Sequence, residues 1–252
     1  MTKQDTKTSA IVLAAGRGTR MNSIDKNKVT VKLNGQPMVR HTIDHLREAN
    51  IDQIIVVVGF QADSVRSALG DSVEYVVQKN QLGTGDAVAT ALPALVPAVT
   101  TVLAVYGDDS SFYPPSLYQE MIAKQQSTLA DVLVLTIKKN DPTGLGRIIR
   151  DQSGKISKIV EEKNATPEER ETKEINTGFY CFDRQFLDAH ITSIKPNPVT
   201  GELYATDLVE IALSAGKKVE TYFLDDSSVW HGVNTQEDYE KARIKYQEES
   251  HA

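Results

Sequence analysis

The chain alternates short apolar runs with polar, glycine-broken stretches. Ala10, Ile11, Val12, Leu13, Ala14 and Ala15 form one unbroken apolar run that stops at Gly16. A run of that length closed by glycine predicts a buried strand over 10–15 that enters a tight loop. Residues 54–58 read Ile-Ile-Val-Val-Val, a β-branched run that marks a strand buried on both faces. Further strands are expected at 73–77, 101–105, 131–137, 179–182 and 219–223, with a hairpin joining 144–149 to 155–160. Between them lie helical patterns. Pro37 opens a helix to about residue 49, with Val39, Ile43 and Leu46 on its apolar face. Others fall at 63–69, after a second glycine loop at 78–86, at 116–126 and at 206–215. A last amphipathic helix starts past residue 234, where Thr235 and Asp238 have capping-box spacing.

Strand and helix alternate through the first half. That order predicts an α/β fold, a mostly parallel sheet with helices on both faces. The second half is less regular, with hairpin-like insertions. Residues 22–34, with Lys26, Lys28 and Lys32, read as a long functional loop, and 161–174 as a solvated charged stretch. No repeat, low-complexity tract or linker divides the chain. Residues 1–8 read as a frayed, disordered leader and 9–252 as a single domain.

Composition narrows the class. A chain of 252 residues, 40% hydrophobic, makes one large α/β domain or two small ones. The net charge of −6, with no basic stripe, argues against a nucleic-acid partner. No apolar stretch is long enough to span a bilayer as a helix, and the polar N-terminus is not a signal peptide. The lone Cys181 sits in the run Phe179-Tyr180-Cys181-Phe182 and reads as a buried small side chain in a cytoplasmic protein. His41 and His45 lie four apart on a helix with no third ligand nearby, so they read as surface or packing residues.

Ligands of open parallel sheets sit at the carboxyl ends of the strands. Three loops follow strands here: Gly16-Arg17-Gly18-Thr19-Arg20, the stretch from Gln78 to Asp86, and Tyr106-Gly107-Asp108-Asp109. Each alone is also an ordinary turn; together they converge on one crevice. Gly16 and Gly18 let backbone N–H groups approach a ligand, and Arg17 and Arg20 add positive charge, a combination suited to a triphosphate. Neither the third glycine of a dinucleotide fingerprint nor a Gly-Lys-Ser/Thr loop is present, Met21 standing where that glycine would be. Asp108, at a strand mouth, suits a magnesium ion. No Ser-His-Asp or Cys-His set supports a covalent intermediate, and phosphoryl chemistry needs none.

Taken in order, these motifs resemble the sugar-1-phosphate nucleotidyltransferases. Within that family the resemblance is to the uridylyltransferase domain of the bacterial bifunctional enzymes that also carry a glucosamine-1-phosphate acetyltransferase. It rests on Leu13-Ala14-Ala15-Gly16-Arg17-Gly18-Thr19-Arg20-Met21, Lys28-Val29, Leu33-Asn34-Gly35-Gln36-Pro37-Met38, Gln81-Leu82-Gly83-Thr84-Gly85 and Tyr106-Gly107-Asp108. It continues through Gly144-Leu145-Gly146-Arg147-Ile148, Ile159-Val160-Glu161, Glu174-Ile175-Asn176-Thr177-Gly178, Gly201-Glu202-Leu203-Tyr204-Ala205-Thr206-Asp207 and Gly232-Val233-Asn234.

The resemblance implies a Rossmann-like nucleotidyltransferase fold with a mostly parallel mixed sheet. The implied reaction joins UTP and N-acetylglucosamine 1-phosphate into UDP-N-acetylglucosamine and pyrophosphate. In that reading Arg20 and Lys28 hold the triphosphate. Leu13, Ala14, Ala15, Gly16, Gln78, Gly83 and Thr84 surround uracil and ribose, and Tyr106 and Gly107 complete the nucleotide set. Asp108, counted with Arg20 and Lys28 as catalytic, holds Mg2+ together with Asn234. Gly146, Glu161 and Asn176 bind the sugar. The nucleotide half covers about 9–115, the sugar half about 116–234, and a C-terminal helix about 235–250.

Three departures stand out. Asn27 replaces the family's usual proline, Asp86 its usual histidine, and Asp109-Ser110-Ser111-Phe112-Tyr113 its Val/Thr-Pro-Leu segment. The last two bear on which nucleotide or sugar is used more than on the reaction type. Two alternatives remain: the same chemistry on another pair of substrates, or a nucleotide-binding module with weak turnover. No hexapeptide repeats occur, so neither acetyltransferase activity nor trimerisation through such a domain is expected.

Overall fold

The structure is a computed structural model, and it describes residues 6–18, 26–108, 112–233 and 235–249. In chain order, β1 (Lys7–Ala14) leads through the first glycine loop to the two-residue strands β2 (Lys32–Leu33) and β3 (Gln36–Pro37), then α1 (Met38–Glu48). There follow β4 (Gln53–Val58), α2 (Ala62–Leu69), β5 (Glu74–Val77), α3 (Thr84–Ala91) and β6 (Val99–Tyr106). The second half contains α4 (Pro115–Thr128), β7 (Val132–Lys138), β8 (Arg147–Arg150), β9 (Ile156–Val160) and α5 (Pro167–Arg170). It ends with β10 (Glu174–Asp183), α6 (Arg184–His190), α7 (Asp207–Ser214), β11 (Val219–Leu224) and α8 (Gln236–Glu249).

The main sheet has the order β11-β7-β10-β6-β1-β4-β5. β1 runs parallel to β4 and β6, β4 to β5, and β7 to β11. β10 runs antiparallel between β6 and β7, so the sheet is mixed. The β8–β9 hairpin hangs from β10 through the pair Ile175–Arg147. Strand residues alternate between two apolar layers, as a two-sided sheet requires. Ile11, Ile55, Val57 and Val102 pack with α3, α6 and α7, while Val12, Val56, Val58 and Val105 pack with α1, α2 and α4. Cys181 is buried in the second layer, and burial pushes its thiol up. Among the described residues no helix is long and apolar enough to cross a membrane.

The boundaries depart from expectation in identifiable places. β1 starts at Lys7, ahead of residue 10, so the last two residues of the expected leader lie in the sheet. Lys7 N donates to Ala98 O at 3.0 Å and Thr8 N to Asp52 Oδ2 at 2.8 Å. Pro37 is the N-cap of α1, not a residue of its first turn. The stretch expected to precede a strand at 175–178 is itself part of β10, whose register with β7 breaks between Asn176 and Tyr180. α6 was not anticipated; Asp183 caps it by accepting from Phe186 N at 2.9 Å. The capping box of α8 is present, with Thr235 N donating to Asp238 Oδ2 at 2.8 Å and Asp238 N to Thr235 Oγ1 at 3.1 Å.

Candidate active site

Two cavities open at the carboxyl ends of β1, β5 and β6. The larger, about 600 Å3, is lined by residues of the first glycine loop, Asn27 and Lys28, residues 78–81, Gly83 and Thr84, Tyr106 and Asp108. The smaller, about 230 Å3, is lined by Gly144, Leu145, Gly146, Glu161, Asn176 and Trp230 among others. Lys28, Tyr106 and Asp108 border both.

The first loop is held from beneath. Asn27 is 1% exposed. Its Nδ2 donates to Ala14 O at 2.9 Å, Gly16 O at 3.2 Å and Phe60 O at 2.8 Å, and its Oδ1 accepts from Val29 N at 3.1 Å. The amide thus ties the ends of β1 and β4 to the lysine loop and satisfies carbonyls at and just past the strand ends. Gly18 has φ +57°, and a Cβ there would lie 2.7 Å from Lys28 Cβ, so glycine lets the lysine stem pass against the loop. Among the described residues the backbone N–H groups of Gly16, Arg17 and Gly18 donate to nothing within the protein. Arg17 Nε donates to Gln81 Oε1 at 3.4 Å and its guanidinium lies 5.6 Å from the Phe60 ring centroid.

The second loop is strapped to the segment before α7. Leu203 N donates to Leu82 O at 2.6 Å, Gly85 N to Leu203 O at 2.7 Å and Ala205 N to Thr84 Oγ1 at 2.9 Å. Gly83 has φ +108°, and a Cβ there would sit 2.5 Å from Leu203 O, so only glycine permits this approach. Gln78 closes β5 at 3% exposure, and its Nε2 donates to Gly83 O at 2.8 Å and Asp86 Oδ2 at 2.7 Å.

At the junction of the cavities Lys28 Nζ forms an ion pair with Asp108 and donates to Val233 O at 2.8 Å. That bond brings the segment leading to α8 to the site. In the smaller cavity, Asn176 Nδ2 donates to Tyr180 Oη at 2.6 Å, its Oδ1 accepts from Gly178 N at 3.0 Å, and its backbone N bonds Gly146 O at 2.9 Å. Burial raises the Glu161 carboxyl above its ordinary range, with Lys163 opposing. Asp207 is raised first by burial and then by Glu210 and Glu161.

Of the residues expected around the nucleotide, Leu13, Ala14, Ala15, Gly16, Gln78, Gly83, Thr84 and Tyr106 share the larger cavity with Lys28 and Asp108. Gly107 lies outside both linings; its N donates to Leu13 O at 3.1 Å, so it joins β6 to β1. Gly146, Glu161 and Asn176 meet in the smaller cavity. Arg20 and Asn234 lie outside the described residues, as do Asp109, Ser110 and Ser111. Phe112 and Tyr113, the rest of that departure, are buried. Sequence reasoning gave no role to Glu202 and Tyr204, which line the larger cavity, or to Trp230, which lines the smaller. The only signal for the first two was their place in a motif of the resemblance; Trp230 gave none.

Comparison with known proteins follows the same outline. The family model described as "Nucleotidyl transferase" matches residues 9–249. The bifunctional protein GlmU of Limosilactobacillus fermentum is 41% identical over 234 residues, covering 93% of this chain and 51% of that protein. The GlmU of Exiguobacterium sibiricum is 42% identical over 225 residues, covering 89% and 50%. The chain therefore spans about half the length of the curated relatives it matches. Among solved structures, a protein named as a candidate glucose-1-phosphate thymidylyltransferase from Bacillus anthracis, in complex with a sucrose, has a TM-score of 0.77 at 24% identity, covering 95% of each chain. At that identity the likeness establishes the fold.

Proposed function

The chain belongs to the nucleotidyl transferase family, and from that premise we propose that it is a sugar-1-phosphate uridylyltransferase joining UTP and N-acetylglucosamine 1-phosphate into UDP-N-acetylglucosamine and pyrophosphate. One observation carries the reading: two cavities, lined by the residues expected for nucleotide and for sugar, share Lys28, Tyr106 and Asp108. Two substrates bound there would meet at that border. The uridylyl and N-acetylglucosamine specificity draws on the 41% identity to GlmU proteins.

In this reading the open N–H groups of the first loop and the Lys28 ammonium face the triphosphate. A phosphate oxygen of the sugar phosphate attacks the α-phosphorus. The bond from that phosphorus to the bridging oxygen breaks, and its electron pair leaves with pyrophosphate. Holding both substrates in line supplies much of the rate, and the lysine offsets charge growing on the leaving group. Asp108 fits a divalent cation: it is a hard oxygen donor at the shared border, and magnesium takes one or two carboxylates plus phosphate oxygens and water. A bound magnesium ion would neutralise phosphate charge there, and Asn234 is the second residue proposed to hold it.

The test is pyrophosphate release in magnesium, with four nucleoside triphosphates against a panel of sugar 1-phosphates. Release with UTP and N-acetylglucosamine 1-phosphate supports the proposal. Release only with another pair reassigns the substrates, and tight nucleotide binding without release makes the protein a binding module.

A further inference from the structure

The Gln78 amide faces two groups that can only accept. Its Nε2 donates to the Gly83 carbonyl at 2.8 Å and to the Asp86 carboxylate at 2.7 Å. Turned over, the amide would set its oxygen against both of those oxygens at once. The amino end is therefore fixed on the side of Gly83 and Asp86. Oε1 accepts nothing from the described residues, and Gln78 lines the larger cavity while Asp86 does not. Asp86 sits behind it in the first turn of α3, where its carboxylate also accepts from Leu82 N at 3.4 Å.

We propose that Asp86 is a positioning residue that sets base selectivity, because its carboxylate holds the Gln78 amino group and leaves the amide oxygen as the group offered to the base. A pyrimidine whose ring nitrogen carries hydrogen, as in uracil or thymine, donates to that oxygen. Cytosine offers a bare lone pair at the same ring position and meets oxygen with nitrogen, neither holding a proton. A site built to accept an N–H discriminates against the analogue that lacks it. This inference rests on the nucleotide reading of the larger cavity.

The experiment is equilibrium binding of UTP and CTP, in magnesium, to the full chain and its variants, read as the ratio of the two affinities. The wild type is expected to favour UTP. In Asp86→Asn the new side chain keeps the shape but brings a donor of its own, so the Gln78 amide can turn over. The UTP-to-CTP ratio then falls by roughly tenfold, the effect of one unmade polar contact. Asp86→Ala lowers the ratio less, because the Gly83 carbonyl still holds one N–H, and Asp86→Glu restores it in part. A merely structural role would weaken both nucleotides together and leave the ratio unchanged. An unchanged ratio in folded Asp86→Asn overturns this inference alone. A wild type that binds neither nucleotide overturns the nucleotide reading and this inference with it.

Discussion

Asn27 offers the sharpest test of how the first loop is held. Its amide donates to three carbonyls at 2.9, 3.2 and 2.8 Å and accepts from Val29 N at 3.1 Å, with the residue 1% exposed. Two amide hydrogens serve the three carbonyls, so removal by Asn27→Ala deletes about three hydrogen bonds of roughly 1 kcal/mol each and leaves carbonyls facing one another. The expected loss is about 2–4 kcal/mol. For a chain of this length that corresponds to a fall in Tm of about 5–15 °C. Asn27→Asp keeps the volume and the acceptor for Val29 but presents oxygen to three oxygens, so it should melt below the alanine variant. Asn27→Pro is permitted by the local φ of −69° and ψ of 140°, yet it forfeits the side-chain bonds and the donation of Asn27 N to Ser64 Oγ at 3.0 Å. It should stay near the alanine variant, helped by about 0.4–1 kcal/mol of reduced freedom in the unfolded chain. Thermal and urea unfolding of the four proteins give the order. If the aspartate variant melts at or above the alanine variant, the amide does not act as this triple donor.

Three further expectations follow from the site. Asp108→Asn should lower magnesium-dependent pyrophosphate release by about a hundredfold or more while the far-UV circular dichroism stays unchanged; unaltered turnover would remove Asp108 from the chemistry. Gly83→Ala, at φ +108° and 2.5 Å from Leu203 O, should destabilise the protein by at least about 2 kcal/mol, and a wild-type Tm would show that the strap to Leu203 can move aside. The raised Glu161 carboxyl means that the folded protein holds more protons than the unfolded chain as pH climbs from the ordinary value of 4.5 through the raised one. Stability attributable to Glu161 therefore falls with rising pH across that window. Glu161→Gln should flatten the slope of Tm against pH, and an identical slope would mean that Glu161 is solvated.

The sheet was legible because its central strands are unmistakable. The five β-branched residues at 54–58 and the apolar run at 10–15 suit only strands covered on both faces. Strand edges were not, since Lys7 and Thr8 look like a polar tail until Ala98 and Asp52 are seen to receive their amides. α6 was missed because Phe186 and Leu187 are its only deeply buried side chains, too few to set a helical period. The convergence of three loops followed from the rule for parallel sheets, and the larger cavity gathers residues from all three. Asn27 and Asp86 looked only like departures. Their meaning lies in partners such as Phe60 and Gln78, which sequence spacing does not connect to them. Gly107, read as part of the nucleotide site, also joins β6 to β1 through its amide, a link that spacing alone does not reveal.

The place of β10 governs the order in which the molecule can be assembled. It lies between β6 and β7, yet it is made after both. A nascent chain that has emerged only through residue 173 carries β6 as an uncovered edge, with no neighbour on the side later taken by Tyr180, Cys181 and Phe182. β7 has nothing to add to, because its link to the earlier strands runs through the missing one. Synthesis therefore holds a four-stranded sheet, the β8–β9 hairpin and an unpaired β7, and the late strand joins all three. Until it does, the apolar rim of β6 is open to any other extended chain nearby, the hazard of an unguarded sheet edge.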